Sequence, residues 1–235
     1  MQTFRHGLIQ GISIGLGYLS VSFSFGILAV QSGLTVWQAV LISLTNLTSA
    51  GQVAGLKLIA VNAAYVELFL TEFVINIRYA LMSLALSQKA DRSFRTPHRL
   101  AVSAGVTDEI FAVSSIQPEQ IKPVYMYGLI LMPYLGWTLG TLLGAAAGTL
   151  LPVMLTKALG ISLYGMFLAI IVPPARKSRG ISAVVLIAAA ISVFLHYAVK
   201  ALTAGFAMIL ASVAASVIGA IFFPHTASEK QEAET

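Results

Sequence analysis

The sequence has no cysteine and little charge. The first absence excludes disulfides and thiolate metal sites, and leaves the redox compartment unreadable. The second is more informative. Charged residues make up 10% of the 235 positions, and none occurs between Arg5 and Lys57, whereas a soluble domain carries about 25%. Enzyme signatures are missing as well: no paired metal-ligand histidines, no Gly-x-Ser-x-Gly elbow, no Walker Gly-Lys-Thr/Ser and no dinucleotide glycine pattern. The reading is a non-enzyme with neither metal nor cofactor, and ATP hydrolysis by this chain is not expected.

What is present is apolar sequence in long runs. Spans of about 20 apolar residues read as transmembrane helices, and the candidates are Gly7–Val30, Trp37–Ala60, Tyr65–Leu86, Val124–Gly148, Leu159–Pro173, Ile181–Leu202 and Thr203–Phe223. The expected fold is an all-α polytopic bundle of about six or seven spans, embedded in membrane lipid. Residues 1–224 form a single transmembrane domain. Residues 225–235, polar and with three Glu, form a short disordered tail. The run after Arg5 is too long for a cleavable signal and reads as the first span.

The net charge of +5 does not point to nucleic acid. Lys89, Arg92, Arg95, His98 and Arg99 fall in one connector, and Arg176, Lys177 and Arg179 in another. Such clustering marks cytoplasmic loops, and it puts the C-terminus in the cytoplasm. Counting spans then requires either an outside N-terminus or a second segment that does not cross fully. That second segment carries Ser43-Leu-Thr-Asn46-Leu-Thr-Ser-Ala-Gly51-Gln52 where its middle should be. Irregular backbone at membrane depth survives only where protein or a wet cavity covers it, and broken helices of this kind hold substrates in many transporters. Leu100–Ile116, too polar for a span and too apolar for a loop, reads as one half-helix or re-entrant element.

Within Tyr65–Leu86 lie Glu72, Asn76 and Arg78, costly in hydrocarbon unless paired or wet. Glu72, Asn76, Tyr79 and Ser83 recur at steps of four, three and four and form one polar stripe, with Arg78 directed roughly the other way. The stripe either lines a cavity, with Glu72 accepting a proton or a substrate amine, or glues helices together. Thr107, Asp108 and Glu109 supply a second acidic group. Thr107 or Asp108 caps a helix running through Phe111. One acid pairs with Arg78 while the other faces a permeation path, or both belong to an interfacial cap. In the broken segment, Asn46, Thr48, Ser49 and Gln52 are candidate substrate ligands, the alternative being hydroxyls bonded to their own backbone. Gly136, Gly140, Gly144 and Gly148 make a stripe that admits a closely approaching helix. His196 and Lys200 read as interfacial side chains. Gly17-Tyr18-Leu19 and Pro133-Tyr134-Leu135 form a short internal echo.

Taken in order, these motifs resemble the AzlC family of branched-chain amino acid permeases over nearly the whole chain. Ser43 through Gln52 echoes the family's Ser-x3-Phe-Ala-Gly-x2-Gln. Asn76, Arg78, Leu81 and Met82 match Asn-x-Arg-x2-Leu-Met, and Thr107, Asp108, Glu109 and Phe111 match Thr-Asp-Glu-x-Phe. Gly136–Gly148 fits the glycine-rich span, and Leu159-Gly160 with Phe167-Leu168-Ala169 fits a later element. Leu47, Thr48 and Ser49 stand where the family often has Phe-Ala-Gly, and these added hydroxyls favour a smaller or more polar substrate. The resemblance implies a multi-pass protein of the cytoplasmic membrane. It also implies a small AzlD-type membrane subunit as partner and the export of hydrophobic amino acids such as valine or leucine. Asn46, Thr48, Ser49, Gln52 and Asn76 are the expected substrate ligands. Glu72, Arg78, Asp108 and Glu109 are the expected proton-coupling or ion-pair residues. A membrane scaffold without transport activity, or an ion channel, is the alternative.

Overall fold

The computed structural model describes residues 2–148, 154, 165, 167–168, 171–199 and 202–223. Nine helices have bounds among them: α1 (Phe4–Gln31), α2 (Val36–Thr45), α3 (Ser49–Ala60), α4 (Tyr65–Lys89), α5 (Thr96–Ser103), α6 (Asp108–Ser115), α7 (Pro123–Gly148), α8 (Arg179–Ala198) and α9 (Ala204–Phe222). The chain is all-α, and α1, α4, α7, α8 and α9 are long and apolar enough to cross a membrane. Most of the expected span Leu159–Pro173, Lys200 and the whole 225–235 tail lie outside the described residues.

The second expected span is two helices. α2 and α3 have 10 and 12 residues, about 15 and 18 Å at 1.5 Å per residue, each well short of a hydrocarbon core of about 30 Å. Asn46 (φ −145°, ψ 107°) and Thr48 (φ −129°, ψ 116°) are extended between them. Leu100–Ile116, expected as a half-helix or re-entrant element, likewise falls on two short helices rather than one. α5 and α6 are separate, because the chain leaves the helix after Ser103 and restarts when Thr107 caps Ile110 N. Gly105 sits between them, where a Cβ would meet the Ile130 side chain at 2.5 Å.

The residues divide into two compact units, 1–63 with 75–166 and 64–74 with 167–235, so α4 contributes to both. The first is organised by α1 against α7. Carbonyls of each helix occupy the space of the other's missing side chains: a Cβ on Gly11 would lie 2.6 Å from Leu129 O, and one on Gly15 2.7 Å from Met132 O. From the other side, Cβ atoms on Gly136, Gly140 and Gly144 would collide with the carbonyls of Gly15, Leu19 and Phe23. Helices in lipid associate through such close backbone contact because burial of apolar surface gives them no driving force. The partner of the glycine stripe is therefore α1 of the same chain. Beside this pair, Leu86, Val102, Val106, Ile110, Ile121, Tyr125, Met126 and Leu129 form an apolar cluster. The basic connector is held by Asp91 N to Ile121 O (3.0 Å), Ile121 N to Lys89 O (2.9 Å) and Lys89 Nζ to Ser115 O (2.6 Å). Within it the Ser93 hydroxyl and amide donate to Asp91, and the hydroxyl above all holds that carboxyl below its usual range.

In the second unit, the Glu67 carboxylate accepts from Gly205 N at 3.0 Å and from the Thr203 hydroxyl. The N-terminus of α9 thus gets its cap from α4, since Thr203 itself makes no side-chain cap bond. A negative group there also complements the helix dipole.

Candidate polar site at the helix breaks

Each break leaves orphan backbone groups, and side chains answer them. At the end of α2, Tyr134 Oη donates to Leu44 O (2.8 Å) and Gln52 Nε2 donates to Asn46 O. Gln52 Oε1 accepts from Trp137 Nε1 (3.0 Å) and Ser43 Oγ (3.4 Å), while Ser43 and Thr141 hydroxyls meet at 2.8 Å. Gln52 is 3% exposed, so its whole amide braces the break. The Asn46 side chain is exposed and Asn46 enters through its carbonyl. Thr48 caps α3 at Gly51 N (3.4 Å), donates to Asn76 Oδ1 (2.7 Å) and touches Tyr79 Oη (3.4 Å). It thereby ties the broken segment to the middle of α4.

Arg78 joins the same group. Its Nη1 lies 2.9 Å from Asp108 Oδ2 and 3.1 Å from Oδ1, and Nη2 donates to Tyr79 Oη at 3.0 Å. The sequence expectation that Arg78 points away from the stripe is thus corrected. The side chain is long enough to fold over the Tyr79 ring, with Cζ 4.8 Å from its centroid. Its Nε is buried without an acceptor.

Glu109 is engaged from α1. The Tyr18 hydroxyl donates to Glu109 Oε2 and meets Thr107 Oγ1 at 2.7 Å. The Tyr18 ring stands edge-on to Trp137, with centroids 5.3 Å apart. Tyr18, Leu47, Ser49, Tyr79, Thr107, Asp108, Glu109 and Trp137 line a small cavity with room for about one water. Two threonine-capped helix starts, α3 and α6, border it through Ser49 and through Thr107–Glu109.

The structure thus brings Thr48, Ser49, Asn76, Arg78, Asp108 and Glu109 together, with Gln52 behind the break. Glu72 is half-buried one turn before Asn76, in the part of α4 that belongs to the second unit. The sequence reading missed Tyr18 and Trp137 as site residues, and it missed Glu67. The signal for Tyr18 was the Gly17-Tyr18-Leu19 echo, whose two copies fall on the interlocked helices α1 and α7. The T-shaped ring contact explains why neither aromatic stood out: each also reads as core.

Residues 13–151, a stretch that holds every residue of this cavity, match the family model described as AzlC protein. An uncharacterized membrane protein of Archaeoglobus fulgidus is 34% identical over 175 residues, covering 72% of this chain and 75% of the relative. One from Helicobacter pylori is 28% identical over 63% of this chain and 66% of the relative. Inner membrane protein YgaZ of Escherichia coli is 23% identical over 76% of each. No solved structure matches. By the family match and the archaeal relative together, the chain belongs to the AzlC family of membrane proteins.

Proposed function

We propose that the protein is a secondary transporter that exports small hydrophobic amino acids across the cytoplasmic membrane. The observation that carries this reading is the pair of capped half-helix starts at one cavity that also holds two carboxylates. Helix N-termini at a break attract an anion, and a carboxylate attracts an ammonium. A zwitterion supplies both. Its carboxylate would sit at the start of α3, near Thr48 and Ser49, and turn toward the unpaired Nε–H of Arg78. Its ammonium would displace the Tyr18 hydroxyl from Glu109, and its side chain would lie on Leu47 and Trp137. Asp108, neutralised by Arg78, keeps that guanidinium in place. Glu109 and Glu72 are the carboxylates proposed to carry a coupling proton.

The family likeness adds the finer reading: branched-chain substrates, a small AzlD-type partner subunit and a cytoplasmic C-terminus. A scaffold that offers its glycine stripe to another protein has less support, because α1 fills that stripe. Efflux of labelled valine from loaded cells tests the proposal, with Glu109→Gln and Asp108→Asn each expected to cut the rate at least ten-fold. Near-normal, pH-responsive efflux in both variants, at normal protein levels, would sink it. Conductance without saturation by any amino acid would favour a channel instead.

A further inference from the structure

In the second unit, α8 and α9 enclose an open cleft of about 680 Å3 where α8 begins and α9 ends. That is within the range of about 300–1,000 Å3 typical of ligand sites. Its walls are largely apolar, with Ile181, Val184 and Val185 from α8 and Ala220, Phe222 and Phe223 from the other side, and Ser178 and Ser216 add hydroxyls. The helices touch through small residues. A Cβ on Gly219 would lie 2.6 Å from Val184 Cγ2, and one on Gly180 3.1 Å from Phe223 Cβ. Small side chains on one edge leave the groove unfilled.

Ser178 lines the cleft, and its sequence neighbours Arg176, Lys177 and Arg179 are all exposed. Between Glu119 and Glu229 the sequence contains no acidic residue. Of the acids described in this unit, Glu67 is bonded at the start of α9, the end of that helix away from the cleft, and Glu72 lies on α4, which does not line the cleft. Three exposed cations next to a largely apolar groove suit an anion that also carries hydrocarbon. We propose that the cleft binds one anionic phospholipid, its phosphate on the Arg176–Arg179 rim and an acyl chain between α8 and α9. Basic pockets between transmembrane helices recognise anionic headgroups in this way. Inorganic phosphate would leave the apolar walls uncovered. The polar residues 225–235 supply acids but no hydrocarbon.

The test uses full-length protein in detergent, titrated with phosphatidylglycerol and with phosphatidylcholine while native mass spectrometry counts retained lipid. One phosphatidylglycerol should bind at least ten-fold more tightly than phosphatidylcholine. Changing Arg176, Lys177 and Arg179 together to Gln should remove that preference, at roughly five-fold per cation. Ala220→Trp keeps every charge and fills the groove, so it should weaken both lipids and serves as the control if the triple variant misfolds. Equal affinity for the two lipids in the unaltered protein would overturn the proposal, as would unchanged binding in Ala220→Trp. Selective binding that appears only after deletion of residues 224–235 would make the tail the native occupant and overturn it too.

Discussion

Arg78 and Asp108 meet through one guanidinium nitrogen: Nη1 lies within 3.1 Å of both carboxylate oxygens, while Nη2 turns to Tyr79 and Nε has no partner. This is not the two-pronged fork that arginine usually offers a carboxylate. A lysine can replace the contact to Asp108 but lacks the other two donors. Arg78→Lys is therefore expected to fold with a small loss in thermal stability and to raise the KM for amino acid at least ten-fold. Asp108→Asn strips the guanidinium of its counter-charge and is expected to cost about 1.5–3 kcal/mol. Paired melting and efflux measurements separate the two outcomes.

Tyr18→Phe keeps the ring on Trp137 and deletes only the hydroxyl shared by Glu109 and Thr107. About 1–3 kcal/mol of stability should be lost through the orphaned groups. In transport, the KM for amino acid should change at least several-fold, because an incoming ammonium would no longer have to displace that hydroxyl from Glu109. An unchanged KM at normal protein levels would show that the Tyr18–Glu109 contact is not broken by substrate.

Glycine substitutions should divide sharply by position. Gly144→Ala would drive a methyl into the Phe23 carbonyl, and Gly11→Ala into that of Leu129. Each forces α1 and α7 apart and is expected to cost about 1–3 kcal/mol or more, as overpacking does. A Cβ on Gly17, on the same helix as Gly11, would meet nothing within 4 Å, so Gly17→Ala should be neutral or gain up to about 1 kcal/mol. Detergent melting curves of the three variants make the comparison.

Glu67→Gln retains an oxygen for Gly205 N but removes the charge that complements the start of α9. A loss of about 0.5–2 kcal/mol is expected from weaker capping and a less favourable helix dipole. Hydrogen exchange should quicken at Gly205–Ala207 first, with the cavity residues of the first unit unaffected.

Much of the site could be read before the structure. The density of hydroxyls and amides from Ser43 to Gln52 located the break, because an uninterrupted span has no use for them. A cap by Thr107 or Asp108 was expected and Thr107 caps Ile110, while a pairing of Arg78 with one of the two neighbouring acids was one of two readings, and the structure has it with Asp108. Three things escaped. Tyr18 and Trp137 have the composition of core, and only their distant partners, Glu109 and Gln52, give them a polar role. Arg78 was assigned by its Cα position on the helix, which says little about where a long side chain ends. Gly7, Gly11 and Gly15 were overlooked as the counterpart of the later glycine stripe, since a stripe becomes legible as an interface only when its mate is known.

The glycine interlock has a mechanical consequence. α1 and α7 touch backbone to backbone along most of their length, so they behave as one beam, and sliding one past the other would ram carbonyls into Cα atoms. Tyr18 is bolted to one half of that beam and Trp137 to the other. The spacing between these two rings is then a fixed gauge. If the cavity is to admit the proposed amino acid, the widening must come from the pieces around that beam: the Leu47–Ser49 break, the Thr107–Glu109 start of α6, or the turn of α4 that carries Tyr79.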